Sequence, residues 1–264
     1  MMQVWILTFD RPQALNRQIH RFGSLGYEVN IFSNHPQVGL AEENKKYIRS
    51  ITFNTLSDAE ANSYCARSWN NIFIKCFKEF DEAVFVQDDT DVNTEIGALL
   101  DANRDKYDLI WGPAGDTFFY MKKEVLKKVG WFDERYLGCY CGDADFLVRA
   151  WNNYDRNRLS IAETHDWGFI HNDIGIRNVI RWDIGSKCID TNYVNQHEEM
   201  QQKFGSSNYV LEHSQGHFKN KWGAPGNGIN GIGPITNHTQ DKTPSIGEID
   251  WYPWFTKKYL KEQS

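Results

Sequence analysis

Over the first 150 residues, short apolar runs alternate with stretches whose apolar positions recur every three or four residues, a pattern that predicts an α/β layer architecture. VWILT, from residue 4, reads as a first strand. Pro12 then suits the first turn of a helix whose Leu15, Ile19 and Phe22 share a face, with Gly23 or Gly26 to end it. YEVNIFSN predicts the second strand. The clearest helix is SWNNIFIKCFKEF, where Trp69, Ile72, Phe73, Cys76, Phe77 and Phe80 line one face that must pack on the sheet. AVFV predicts a buried strand, DLIWG and TFFYM two more, and KKEVLKKV a short helix closed by Gly130. Beyond about residue 185 the texture changes, with six glycines between 216 and 233 and prolines at 225, 234, 244 and 253. The chain thus divides into a core, 1–184, and an irregular C-terminal extension, 185–264, that ends near the aromatic cluster WYPWF.

Composition narrows the function classes. At 264 residues the chain can bury a core without covalent staples, and its odd five cysteines, behind an N-terminus with no basic-then-apolar export signal, predict a reduced, cytoplasmic protein. No apolar run approaches the roughly 18 residues of a membrane span. A net charge of -6 with no lysine or arginine block argues against nucleic acid as a partner. GNGING in the extension fits a dinucleotide fingerprint but follows no strand, and is read as a chance match.

VFVQDDTDV carries the chemistry. Asp88, Asp89 and Asp91 crowd together at the end of a predicted strand, and like charges this close call for a compensating cation or hydrogen-bond donors. An EF-hand loop is excluded, because Thr94 occupies the glycine position and Leu100 the closing glutamate position. A phosphatase nucleophile would want Thr or Val where Asn93 stands. There remain a solvated acidic turn and a divalent-metal site at the carboxyl end of a strand, where open α/β sheets place ligands and where Mg²⁺ or Mn²⁺ shares carboxylates with substrate phosphates.

Four elements in order resemble the GT-A glycosyltransferases, and among them the inverting enzymes of family 2: TFDRPQAL at the first strand, ARSWN at 66–70, QDDTD, and GWFDERYLGCYCGDADFLVRAW at 130–151. The resemblance covers about residues 4–175 and implies a GT-A, Rossmann-like mixed sheet flanked by helices. It implies a sugar passed from a nucleoside-diphosphate sugar, by default a UDP-sugar, to a hydroxyl of a glycan or other acceptor with inversion, as a hexosyl or deoxyhexosyl transferase using Mn²⁺ or Mg²⁺. Asp143 corresponds to the general base; Gly142 replaces the usual glutamate before it. Thr8, Asp10, Arg11, Asn34, Arg67 and Asp88 correspond to nucleotide-sugar contacts, Asp89, Asp91 and His171 to metal ligands, and Asp145 and Trp111 to acceptor-side or secondary positions. Asp143 and Asp145 also have a plainer reading, as caps of the helix DFLVRAW.

His213 and His217 rival His171 for the metal, and Lys219, Lys221 and Trp222 are candidates to cover the diphosphate from a segment, 216–247, that closes as a lid. WYPWF would anchor that segment on the core or on a second copy of the chain. Two other classes compete: a nucleotidyltransferase, disfavoured because no glycine follows the first strand in TFDRPQALNRQ, and a carbohydrate- or nucleotide-binding protein without turnover, which fits Gly142.

Overall fold

The computed structural model describes residues 2–9, 11–54, 65–113, 115–136, 141–162, 174–182 and 209–222. Its centre is a seven-stranded mixed sheet in the order β3-β2-β1-β4-β7-β6-β8. The strands are β1 (Gln3–Thr8), β2 (Glu28–Ser33), β3 (Ile48–Phe53), β4 (Glu82–Gln87), β6 (Leu109–Trp111), β7 (Phe118–Lys122) and β8 (Leu159–Ile161). β3, β2, β1 and β4 run parallel, β7 pairs antiparallel with both β4 and β6, and β8 is parallel to β6. A separate antiparallel pair joins β5 (Thr90–Val92) to β9 (Ile180–Trp182). The helices are α1 (Pro12–Ser24), α2 (Cys65–Glu79), α3 (Ile96–Asn103), α4 (Lys123–Val129), α5 (Gly142–Asn153), α6 (Ile176–Val179) and α7 (Tyr209–Trp222).

The two-residue period of the strands sorts the core into two layers. From β1, Val4 and Ile6 join Leu15, Ile19 and Phe22 of α1, together with Val84 and Val86 of β4. Trp5 and Leu7 face the opposite way, into a layer with Trp69, Ile72 and Phe73 of α2 and Phe146 of α5. β1 and β4 are buried almost throughout, as central parallel strands with both faces covered should be, and their sequences read as continuous apolar runs for that reason. The second layer holds a series of stacked rings. Phe146 of α5 lies over Trp111, 5.8 Å between centroids, Trp111 over Phe119 at 4.6 Å, and Phe119 over Phe85 at 5.0 Å. The strand register makes Trp111 and Phe85 the cross-strand partners of Phe119, so the stack is laid down by β6, β7 and β4. Trp111, 1% exposed, is therefore a core residue.

The chain runs from β1 outward to β2 and β3 and then returns to β4 on β1's other side. The carboxyl ends of β1 and β4 thus flank the point where the strand order reverses, the place at which open α/β sheets bind ligands. β6 ends on that same edge, and β7, running the other way, begins there. Among the described residues no helix is long and apolar enough to cross a membrane.

The C-terminal extension departs from expectation at α7. Its glycine at 216 sits inside a helix, and Ser214, Phe218 and Lys221 of that helix are buried. Lys221 bridges Asp133 at 2.9 Å and Asp145 at 2.8 Å, with no side-chain exposure at any of the three. Residues 223–247 and WYPWF lie outside the described residues. Within them, Lys221 is locked into the core rather than carried on a closing segment, because two buried carboxylates need its charge. Lys219 of the same helix is exposed.

Candidate functional site

The switch-point edge gathers most of the expected residues. Asp88 follows β4, and its backbone N–H donates to Leu7 O, extending the β1/β4 ladder by one step. Its carboxylate accepts from Thr8 Oγ1 at 2.5 Å, from the Phe9 N–H at 3.4 Å and from Arg11 at 3.2 Å. Arg11, immediately before α1, also donates to Asp89 Oδ2 at 2.7 Å. Thr8, Arg11, Asp88 and Asp89 therefore form one cluster. Burial pushes the Asp88 carboxyl up to about 6, with Arg11 opposing the rise and Asp89 adding to it. Asn34 extends the cluster along the edge: its N–H donates to Thr8 O, and its Oδ1 accepts from Ser68 of α2 at 3.0 Å and from Asn54 at 2.8 Å.

Asp91 goes elsewhere. It sits on β5 with Thr90 and Val92 buried on either side and its own side chain exposed, paired in register with Arg181. Asp89 itself lies in the turn between β4 and β5. Arg67 on α2 lies 3.3 Å from Glu134, whose other oxygen accepts from Asn70. Burial pushes Glu134 up to about 7 against the pull of Asn70 and Arg67. Asp10 and His171 lie outside the described residues.

Asp143 occupies the second position of α5. The helix starts after Cys141, which adopts a left-handed φ of 63°, and no side chain caps it, so neither Asp143 nor Asp145 is the cap that their positions suggested. Asp143 Oδ1 accepts from the Ala144 N–H at 2.8 Å. Asp145 is turned inward and fully buried, held by Arg149 at 2.9 Å, by Lys221 and by the Tyr136 hydroxyl at 3.4 Å. That network fixes α5 to α7 and to the segment after α4, because Arg149 also donates to Val129 O and Trp131 O. Asp145 thus anchors the start of α5 inside the core. His217 of α7 belongs to the same network, 3.3 Å from Asp133.

One functional candidate was invisible in the sequence. Asp116, in the tight turn Gly115–Thr117 that leads into β7, is 7% exposed. It accepts from the Trp69 indole at 2.7 Å and from Gln87 at 3.2 Å, with Cys65 Sγ at 3.4 Å. Burial pushes its carboxyl up to about 6, opposed by Trp69 and Cys65, and the charge of Asp89 pushes the same way as burial. Burial likewise pushes Asp143 up to about 7, and Asp116 is the charge that raises it further. Asp88, Asp89, Asp116 and Asp143 thus form a line of mutually repelling carboxylates along the edge. The signal available in advance was only a Gly-Asp-Thr step before a predicted strand.

Among the described residues no three ligand-type side chains come together as a metal cage. The donor set still has one feature that fits a hard cation. Asp89 uses Oδ2 on Arg11, while its buried Oδ1 has no hydrogen-bond partner among the described residues. A buried carboxylate oxygen left without a donor is costly, and a divalent cation is the chemistry that satisfies it.

No family model matches the chain, and no curated protein does. Among solved structures it is similar to the apo bifunctional glycosyltransferase WbbM, at 17% identity and TM-score 0.33 over 61% of this chain and 38% of that one. The match therefore spans well under half of WbbM. It is also similar to a mutant Drosophila β-1,4-galactosyltransferase 7 in complex with manganese, UDP-Gal and xylobiose, at 13% identity and TM-score 0.42 over 74% of each chain. A third match is the galactosyltransferase LgtC with donor and acceptor sugar analogues, at 11% identity and TM-score 0.35 over 63% of this chain and 74% of that one. Superpositions this loose bear on neither substrate nor activity.

Proposed function

We propose that the protein is a metal-dependent glycosyltransferase that moves a sugar from a nucleoside-diphosphate sugar, with a UDP-sugar as the default donor, to an acceptor hydroxyl with inversion. The observation that carries this reading is the line of carboxylates at the switch point, with Asp89 presenting an oxygen unpartnered among the described residues and Asp143, at the end of the line, pushed up to about 7. The sequence resemblance supplies the reaction class, which fold alone never does.

Thr8, Arg11 and Asn34 line the nucleotide side of the edge, with Asp88 tied to Thr8 and Arg11. Asp89 holds the cation, with His171 as a further ligand that the resemblance suggests, Asp91 standing exposed on β5. The cation, when bound, offsets the negative charge that builds on the departing diphosphate. Asp143 takes the proton from the acceptor hydroxyl as its oxygen attacks the anomeric carbon from the side opposite the diphosphate. An ordinary aspartate is too weak a base for this at neutral pH, and a carboxyl pushed up to about 7 is matched to it.

The test is calorimetric titration with a panel of sugar nucleotides, with and without Mn²⁺, followed by assay of released nucleoside diphosphate for the parent and for Asp143→Asn. We expect Mn²⁺-dependent binding of one donor by both proteins, and transfer reduced about 10²- to 10⁴-fold in the variant, the range for loss of a general base. Binding of no sugar nucleotide, or near-parental transfer by Asp143→Asn, would overturn the reading.

A further inference from the structure

Asp143 stands where it does because a residue beside it has no side chain. Gly115, at the start of the Gly115–Thr117 turn, has a φ of +65°. A Cβ on Gly115 would lie 2.5 Å from Asp143 Oδ2 and 3.5 Å from its Cγ. Real Cβ contacts begin at about 3.0–3.4 Å, so Oδ2 would have to retreat about 0.5–0.9 Å. What yields is the far end of the Asp143 side chain rather than backbone, and Oδ1 is tethered to the Ala144 N–H, so the retreat swings Oδ2 away from the turn. We propose that Gly115 is a positioning residue whose bare Cα sets where the Asp143 carboxylate stands at the sheet edge. The position rests on geometry alone; its catalytic consequence rests on the reading of Asp143 as the base.

A displacement approaching 1 Å is enough to matter, because misplacing a reacting group by that distance costs about 10²-fold in rate. Left-handed backbone is a confounding cost for any L-residue at Gly115, and Gly26 supplies the control. It has a φ of +84° in the turn between α1 and β2, with nothing among the described residues within 4 Å of a Cβ placed there. Gly115→Ala and Gly26→Ala therefore share the backbone penalty and differ in the contact with Asp143.

Two readouts separate positioning from mere folding. The first is the titration of the Asp143 carboxyl by ¹³C NMR of aspartate-labelled protein, assigned by its loss in Asp143→Asn. Among the described residues the groups that face this carboxyl are Asp116 from the turn, Cys141 just before its own helix, and the first amides of α5. The second is steady-state turnover with the donor identified by the sugar-nucleotide panel. For Gly115→Ala we expect the midpoint to fall from about 7 as the carboxylate leaves its buried place opposite Asp116, and kcat to drop about 10- to 10²-fold with KM little changed. Gly26→Ala should match the parent in both. If Gly115→Ala fails to fold, Gly115→Asn takes its place, since asparagine tolerates left-handed backbone while carrying the same Cβ. A Gly115 variant whose Asp143 titrates as in the parent overturns the inference. A shifted midpoint alongside full activity of Asp143→Asn would uphold the positioning and sink the assignment of Asp143 as base.

Discussion

Replacing Lys221 by methionine keeps the volume of the side chain and deletes its charge, leaving Asp133 and Asp145 buried beside an apolar group. Removing one member of a buried ion pair costs about 3–5 kcal/mol, because the remaining charge is stranded. Here the lower end applies: Asp145 keeps Arg149 at 2.9 Å, and Asp133 keeps Arg135 at 2.6 Å. At about 3 kcal/mol, and roughly 2–4 °C per kcal/mol for a chain near this size, the melting temperature should fall by about 6–12 °C. The pH dependence gives a second signature. Burial alone would raise the Asp133 carboxyl, yet His217, Arg135 and Lys221 hold it well below the usual carboxylate range. A depressed carboxyl stabilises the folded state above its unfolded pKa of about 4, and that stabilisation is lost as pH falls toward the folded value. The deficit of Lys221→Met should accordingly be full at neutral pH and shrink once acidification protonates Asp133 in the folded variant. Urea titrations at pH 7 and pH 3.5, with Asp145→Asn completing a double-mutant cycle, measure it. A loss under about 1 kcal/mol at pH 7, or additive effects in the cycle, would refute the account of α7 as an ion-locked part of the core.

Asp89→Ala should abolish the Mn²⁺ dependence of nucleotide affinity in calorimetry, since its buried Oδ1 is the acceptor left over for a cation; affinity that still responds to Mn²⁺ would move the metal elsewhere. Turnover should rise as pH passes about 7, because Asp143 works deprotonated, and Asp116→Asn should shift that rise to lower pH by removing a like charge; a pH–rate profile that stays in place would show that Asp116 does not govern Asp143.

Local pattern exposed those parts of the fold whose packing is decided locally. The strand at VWILT, the helix from Pro12 and the face of α2 are set by periodicity, and the structure has β1, α1 and α2 there. β3 escaped notice because its burial alternates between partly buried and exposed at the sheet margin, leaving no apolar run. α7 lies in the stretch whose glycines and prolines predict an irregular extension. Its buried lysine makes sense only once Asp133 and Asp145, some 80 residues earlier, are seen to need a cation. The site divides in the same way. Asp88, Asp89 and Asp143 stand in dense motifs, whereas Asp116 has a lone carboxylate's anonymity until β4, α2 and β7 bring Gln87 and Trp69 to it. Trp111 shows the converse, an aromatic residue at a strand end whose burial is decided by stacking on Phe119.

The ring stack that runs from Phe146 through Trp111 and Phe119 to Phe85 has a mechanical consequence for α5. Nearly parallel rings, tilted by 21°, 14° and 22° at successive contacts, resist compression strongly and shear weakly, as the leaves of a spring do. The stack runs across β4, β7 and β6, so ring thickness fixes how far along the sheet the helix lies from β4, while sliding along the ring planes is the soft direction. Arg149, fastened to Val129 O, Trp131 O and Asp145, is the pin that blocks the slide. With the stack setting one coordinate and the guanidinium the others, the start of α5 is located against the sheet edge like a tool in a jig.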